Sequence, residues 1–483
     1  MPEHPSDDAP FGESYGPLLQ GPYAPISDEL VLDALEVEGE VPADLNGVYL
    51  RNGPNPRFAP QGRYHPFDGD GMIHSAHFDR GRVTYRNRWV RTDAFLEEER
   101  EGRALYWGIR DTLKGRSDRR LKDSANTDVV VHGGKALASW YMSGALHMLD
   151  PVTLLPSGKA AYSGPGGKNV SAHCKVDPRT GELLFFDYDV TPPFMSYGVA
   201  GREGNLKHHV AIDLPGPRLP HDMAITRSFT ILHDLPLFHD EDALRSGRHK
   251  LVFHPEMTTR FGVIPRMGSG SDIRWFEFSP CFVYHTINAW EEGDEITMVG
   301  CRFMPVLTAG GDIDARRTAQ LVAELGMTAR LWRWRMNLRT GATLEGPLDE
   351  QHNVEFPSVR GELLGSRSRY AYMVDHHPSM LRWTGIRKFD TDTGACLGAW
   401  SDGHEVSWYS EPWFAPKDKG QERERAEDGG YVIAFMWNTE LRRQELQVFD
   451  ARSLDKGPVA RIRIPRRIPS GFHACWAGIE ELM

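Results

Sequence analysis

The sequence predicts a nearly all-β fold, and three observations carry that reading. Short apolar segments alternate with turn chemistry along the whole chain, helical periodicity is confined to two places, and no stretch is long enough to be a domain linker. FDRGRVTYRNRWV (78–90), VDPRTGELLFF (176–186), FDTDTGACLGAW (389–400) and FDARSLDKGPVARIRI (449–464) share one design. Each places Asp before a turn, where its side chain bonds the backbone, and most place Gly near the end, where positive φ is free of strain. The flanks alternate like strands, so these segments are predicted hairpins. So many strands create many edges. Radial repetition in a β-propeller disposes of them, and paired sandwiches are the other solution. The repeats diverge too far to yield a blade count.

Taken in order, residues 1–34 are rich in Pro and acidic side chains and read as an extended arm, followed by a single domain over 35–483. AFLEEEREGRAL (94–105) and TAQLVAEL (318–325) are the two helix candidates. From LPHDMAIT (219–226) onward, Met223, Ile225, Phe229 and Ile231 share one parity. Asp222, Ala224, Thr226, Ser228 and Thr230 share the other. That alternation predicts one half-buried strand with His221 on its apolar side. KDKGQERERAEDGG (417–430) is charged, ends in Gly and is closely flanked by apolar runs, which predicts a loop. DGDG (68–71) has Met72 where a calcium loop needs an oxygen ligand, and reads as a turn.

Composition narrows the function classes. The chain has 483 residues, 40% hydrophobic and 25% charged, with a net charge of −11. That sign argues against nucleic acid as a partner. The five cysteines are scattered without a CxxC pair, which argues against a disulfide framework or a zinc finger and fits a reducing compartment. The N-terminus lacks the basic start and apolar core of a signal peptide, and no run of 18 apolar residues exists. The expected location is the cytoplasm, with membranes touched only from outside. ITRSFTILHDLPLF (225–238) is expected as core strand or as the border of a tunnel mouth at a membrane.

Four of the twenty histidines share a setting: a strand-like segment, small or apolar neighbours and few charges. They are His173 (NVSAHCKVDP), His221 (LPHDMAIT), His285 (CFVYHTINAW) and His473 (PSGFHACW). They lie too far apart for a local finger, but a closed fold can bring them together. Four neutral imidazoles suit iron, copper or zinc. The ordinary alternative for each is a ring satisfied by a backbone carbonyl. The remainder, such as His208–His209, His249 and His376–His377, sit among polar residues and are expected in solvent.

The local sequences say more. GVYLRNGPNPRF, YHPFDGDGMIHSAHF, NTDVVVHGGKALA, SAHCKVDPRTGELLFF, LPHDMAITRSFTIL, FVYHTINAWEEGDEI, VEFPSV, SEPWFAP and RIPSGFHACW occur in this order. From residue 35 to the C-terminus the chain resembles the carotenoid cleavage oxygenases, whose relatives include stilbene-cleaving dioxygenases and retinoid isomerohydrolases. The resemblance implies a seven-bladed β-propeller with a dome of loops and short helices over an axial metal site. It implies non-haem ferrous iron, Fe(2+), held by His173, His221, His285 and His473. Glutamates that receive the far nitrogens of the ligands map onto Glu355 and Glu411. A third is missing: the family's ALWEGG-like stretch reads ALASWYMSGALHMLDP here, with Tyr141 near the glutamate position. The orientation of one ligand and the local charge balance are therefore open. The family's NTNVV threonine, which crowds one open position at the iron, maps onto Thr127, and Asp128 replaces the following Asn.

The implied reaction is cleavage of a conjugated C=C bond by O2 into two carbonyl products. It needs no organic cofactor, in keeping with the absence of dinucleotide and P-loop motifs. Aromatics near the ligand motifs, Trp107, Trp140, Tyr141, Phe194, Trp413 and Trp476, are candidate pocket residues, with core packing as the ordinary alternative. Stilbene-cleaving relatives carry a Lys where Trp140 stands, and HPFDGDGMIH is closer to carotenoid-cleaving members. Both features favour a carotenoid or apocarotenoid over a stilbene or phenylpropenoid alkene. A metal-stabilised propeller that only binds apolar ligands is the non-enzymatic alternative, and no particular residue supports an isomerohydrolase.

Overall fold

The hairpin-rich sequence closes on itself. A computed structural model describes residues 10–112, 121–163, 167–326, 328–378, 380–417 and 426–482. Among these, seven antiparallel sheets of four to six strands account for most of the chain, with one two-stranded ribbon beside them. The sheets are the blades of a seven-bladed β-propeller. The four hairpins expected from Asp–Gly turn chemistry all form. Arg82–Trp89, for example, pairs residue by residue with Gly71–Asp79.

The ring is closed by both chain ends. Ala474–Gly478 pairs with Gly47–Pro54 in one blade, and Glu36–Gly39 pairs with Pro458–Ile464 in the next. Closure removes two open edges, and with them the sites for edge-to-edge association. It also demands a close approach of backbones. A Cβ on Gly53 would lie 2.6 Å from the Gly471 Cα. We expect Gly53→Ala to push apart the two segments at the seam and cost about 1–3 kcal/mol, the usual range for overpacking. A shift in the urea-unfolding midpoint checks this.

Each sheet contributes one edge strand to the inner ring: Asp128–His132, Lys175–Val176, Ala224–Ile225, Phe282–Glu292, Val354–Ser358, Trp413–Pro416 and Ala474–Gly478. At five of the seven junctions these edge strands touch their counterparts in the neighbouring blade, and together they ring the axis. Residues at their starts therefore converge, however distant they are in sequence.

The helices follow their caps. Asp93–Glu101 starts after Thr92, whose hydroxyl accepts from the Phe95 N–H, and stops at Gly102, where φ is +67°. The apolar pattern suggested a helix to residue 105, but the left-handed glycine ends it sooner. Ala315–Ala323 starts ahead of the expected 318 because Asp314 caps it.

LPHDMAIT does not continue into one long strand. Ala224–Ile225 and Phe229–Asp234 are two strands of a tight hairpin, with Ala224 opposite Ile231. Asp222, Ala224, Thr226 and Thr230 are buried together with the apolar parity. A strand packed on both faces has no solvent side, so the alternation misassigned Asp222.

Residues 10–34 run over the blades through three short 3-10 turns. Asn55 exchanges two hydrogen bonds with the Ile26 backbone, and Val31–Leu32 adds an outer strand opposite Tyr85–Arg86. Residues 1–9 of the expected arm lie outside the described residues. So do residues 418–425 of the expected loop, whose flanking strands Trp413–Pro416 and Gly430–Asn438 pair directly. DGDG lies at the end of a 3-10 turn, Pro66–Asp68, and Asp70 pairs with buried Lys122, which also meets Glu98. The ITRSFTILHDLPLF segment is largely core strand. All five cysteines are free. Among the described residues, no helix is long and apolar enough to cross a membrane.

Candidate metal centre

Each blade delivers one polar residue at or beside its inner strand. Four are the imidazoles of His173, His221, His285 and His473. Three are the carboxylates of Asp128, Glu355 and Glu411. All seven are buried. One nitrogen from each histidine lies within 4.8 Å of those of the other three, and His173 Nε2 is 3.1 Å from His221 Nε2.

The carboxylates hold the outer nitrogens. His285 Nδ1 meets Glu355 Oε2, and His473 Nδ1 lies 3.2 Å from Glu411 Oε1. His173 Nδ1 is 3.4 Å from Asp128 Oδ2, and the same oxygen accepts the His173 backbone N–H at 3.0 Å. That backbone bond secures a strained residue, since His173 has φ of +67°. Ala125 and Phe356 near the same site are also left-handed, at +46° and +49°. Glu355 spans its own turn by accepting the Phe356 N–H at 2.8 Å.

A second set of bonds ties ligand strands together. Asp222 accepts the Thr286 N–H and hydroxyl and pairs with Lys175, so residues within two positions of three of the histidines share one carboxylate. Asn52 donates to the Ala125 and Asp128 carbonyls, and its N–H donates to the His473 carbonyl.

Burial pushes His221 and His285 well below the ordinary imidazole value, and burial with the nearby His473 lowers His173. His473 moves up: burial opposes its charge, but Glu411, then Asp128 and Asp222, outweigh it. Three of the four rings are therefore biased to the neutral form that binds metals. His285 Nε2 is buried without a hydrogen-bond partner among the described residues. A buried ring nitrogen left unpaired, among three other nitrogens, is a ligand position. Four imidazoles without an inward-facing oxygen suit a first-row transition metal rather than calcium or magnesium. The residues fit a metal.

His221 also faces a cavity of about 930 Å³. Phe67, Tyr141, Leu219 and Tyr284 line it on the propeller side. The helix Ala315–Ala323 walls the other side, anchored where the Tyr284 hydroxyl donates to the Val322 carbonyl.

The model of the retinal pigment epithelial membrane protein family, which comprises the carotenoid cleavage oxygenases, matches residues 23–478. The chain belongs to this family. Among its relatives, carotenoid 9,10(9',10')-cleavage dioxygenase 1 of Phaseolus vulgaris is 33% identical, over 96% of this chain and 90% of that one. Isoeugenol monooxygenase of Pseudomonas nitroreducens is 32% identical, over 95% and 98%. The crystal structure of Pseudomonas brassicacearum lignostilbene dioxygenase superposes with a TM-score of 0.83 at 29% identity, covering 96% of this chain and 98% of that one.

Against the carotenoid cleavage oxygenase pattern, the structure departs at the third carboxylate. Tyr141 does not fill it. Its ring stacks on Phe67 at 3.9 Å between centroids and lines the cavity, and its backbone carbonyl accepts from Ser171 and Tyr188. The carboxylate comes from Asp128 on another strand. The substitution of Asp for Asn in NTDVV was visible in the sequence, but its direction toward His173 was not. The Thr127 hydroxyl donates to Asn126 Oδ1 and accepts the Tyr141 N–H.

The expected pocket aromatics lie mostly elsewhere. Trp107 lines a separate small pocket. Trp140 donates to the Phe67 carbonyl and packs edge-on to Tyr141 behind the cavity wall. Phe194, Trp413 and Trp476 pack against the blade cores. Nearness in sequence to a ligand says little, because successive strand residues face opposite sides. The histidines expected in solvent also divide differently. His376 is buried with Nδ1 on the His377 carbonyl, and His249 lines the cavity. Cross-strand packing covers side chains whose sequence neighbours are polar.

Proposed function

We propose that this member of the carotenoid cleavage oxygenase family holds Fe(2+) on His173, His221, His285 and His473 and cleaves a C=C bond of an apolar alkene with O2. The observation that carries the reading is the four-imidazole cluster opening through His221 onto a large, partly aromatic cavity. Bound there, ferrous iron supplies the activation of O2 that no side chain of this chain can provide.

The protein's own part is orientation and exclusion. Glu355 and Glu411 receive the Nδ1 protons of His285 and His473, and Asp128 stands 3.4 Å from His173 Nδ1, which turns the other ring nitrogens inward and favours one tautomer. Phe67 and Tyr284 hold an apolar substrate beside the centre and keep water out. With its hydroxyl already bonded on both sides, Thr127 contributes bulk rather than proton transfer. The cytoplasm remains the expected compartment, in keeping with five free cysteines.

Ligand cavities span about 300–1,000 Å³, so this one falls at the large end. That supports a long carotenoid or apocarotenoid over a stilbene or phenylpropenoid. The second reading draws on the isoeugenol monooxygenase and lignostilbene dioxygenase likenesses. Iron-loaded protein incubated under 18O2 with apocarotenals, stilbenes and phenylpropenoids separates them by product mass. We expect shortened carbonyl products carrying 18O, with apocarotenals turned over fastest. Absence of labelled products across the panel rejects the enzymatic reading and leaves a binding protein.

A further inference from the structure

Several of the cavity's polar side chains are engaged within the protein. His65 accepts the Phe67 N–H and reaches the Ala323 carbonyl. Lys250 pairs with Asp240 at 2.8 Å, and Gln320 donates to Glu324. His239 is different. It ends the strand Leu237–His239, is 4% exposed, lines the cavity, and has no hydrogen-bond partner at either ring nitrogen among the described residues. His249 lines the same cavity with its ring edge-on to His239, 5.6 Å between centroids, and its Nδ1 is likewise unpaired. Beside these rings the wall continues through Lys250 into the apolar Leu251, Val252 and Phe253.

A buried ring nitrogen costs free energy when unpaired, so a cavity wall that keeps three of them, two on His239 and one on half-buried His249, is built to bond a ligand there. We propose that His239 and His249 form the end-group subsite of the cavity and receive the hydroxyl of an oxygenated alkene, an alcohol or a phenol. The inference rests on the alkene-cleaving reading and adds to it the substrate's polar end. A neutral imidazole offers one donor and one acceptor, and so does a hydroxyl, so the two match in either tautomer. Burial holds both rings in the neutral form, with His239 pushed down to about 3. Neutral rings suit a neutral hydroxyl, and Arg63, Arg110 and Arg316, which line the same cavity, make a carboxylate the competing end group that the test includes.

The test uses an apocarotenal with a ring hydroxyl, the same compound without it, and the corresponding carboxylic acid. Binding to the metal-free protein is read by tryptophan fluorescence, and kcat/KM is read on the iron-loaded enzyme. We expect the wild type to prefer the hydroxylated compound over its deoxy partner by about tenfold in both readouts, as for a site left with unpaired polar groups by the analogue. His239→Leu reduces that ratio to near unity, and His239→Gln, which keeps a donor and an acceptor, retains part of it. No wild-type preference, a preference for the acid, or an unchanged ratio in His239→Leu overturns the subsite. A binding preference without turnover of any compound supports the subsite and rejects the reaction.

Discussion

Asp128→Asn is expected to lower the affinity of the centre for a divalent metal by about 10- to 100-fold, the usual effect of losing a carboxylate behind a ligand histidine. The substitution is nearly isosteric. An Asn oxygen can still accept the His173 backbone N–H, which Asp128 Oδ2 now accepts at 3.0 Å, so the left-handed turn at His173 persists. What disappears is the negative charge 3.4 Å from His173 Nδ1, together with the second acceptor oxygen, which now takes the Val129 N–H at 2.7 Å. Without the charge the ring is a weaker donor and its tautomer is less firmly set. Asp128 is the relevant residue because Tyr141, at the position of the missing family glutamate, is stacked on Phe67 instead. Equilibrium dialysis against cobalt or ferrous ion measures the change. Wild-type affinity in Asp128→Asn would show that the Asp128 charge has no part in holding metal, and a parallel loss in Tyr141→Phe would shift that role to Tyr141.

His285→Leu has the second large effect, on stability as well as on metal binding. It removes one of the four candidate ligands, so metal content is expected to fall far below one ion per chain and alkene cleavage to background. It also strips Glu355 of its ring partner. Glu355 is 1% exposed, and its other hydrogen bond is to the Phe356 N–H. Leaving a buried polar group without its hydrogen-bond partner costs about 1–3 kcal/mol, whereas replacing both partners with apolar groups is often nearly neutral. Denaturant unfolding of the metal-free proteins should therefore show His285→Leu destabilised and the double variant His285→Leu/Glu355→Leu substantially recovered. Equal destabilisation of single and double variants would show that the pair's hydrogen bonding does not set its cost.

The hairpins were legible because their turn chemistry is local. Asp and Gly at fixed offsets act within a few residues, and FDRGRVTYRNRWV forms the expected pair of strands. The same locality explains the misreading at LPHDMAIT. Alternation cannot distinguish one long strand from two short ones folded back at Thr226–Ser228, and it assumes a solvent face that a strand packed on both sides lacks. The candidate ligands were legible for another reason. An imidazole among small apolar neighbours needs a partner that its own segment does not supply, and His173, His221, His285 and His473 all have that setting.

By itself, then, the sequence determined the strand-rich architecture, the absence of an organic-cofactor motif and the four histidines that share one environment. Only the tertiary structure decided which groups those histidines meet. Asp128 faces His173, Asp222 ties residues within two positions of three histidines, and Tyr284 and Phe67 rather than Trp413 or Trp476 line the cavity. Ring closure brings the starts of seven distant strands to one axis. The direction a side chain takes there depends on the twist and register of its blade against the next, which no short window of sequence contains.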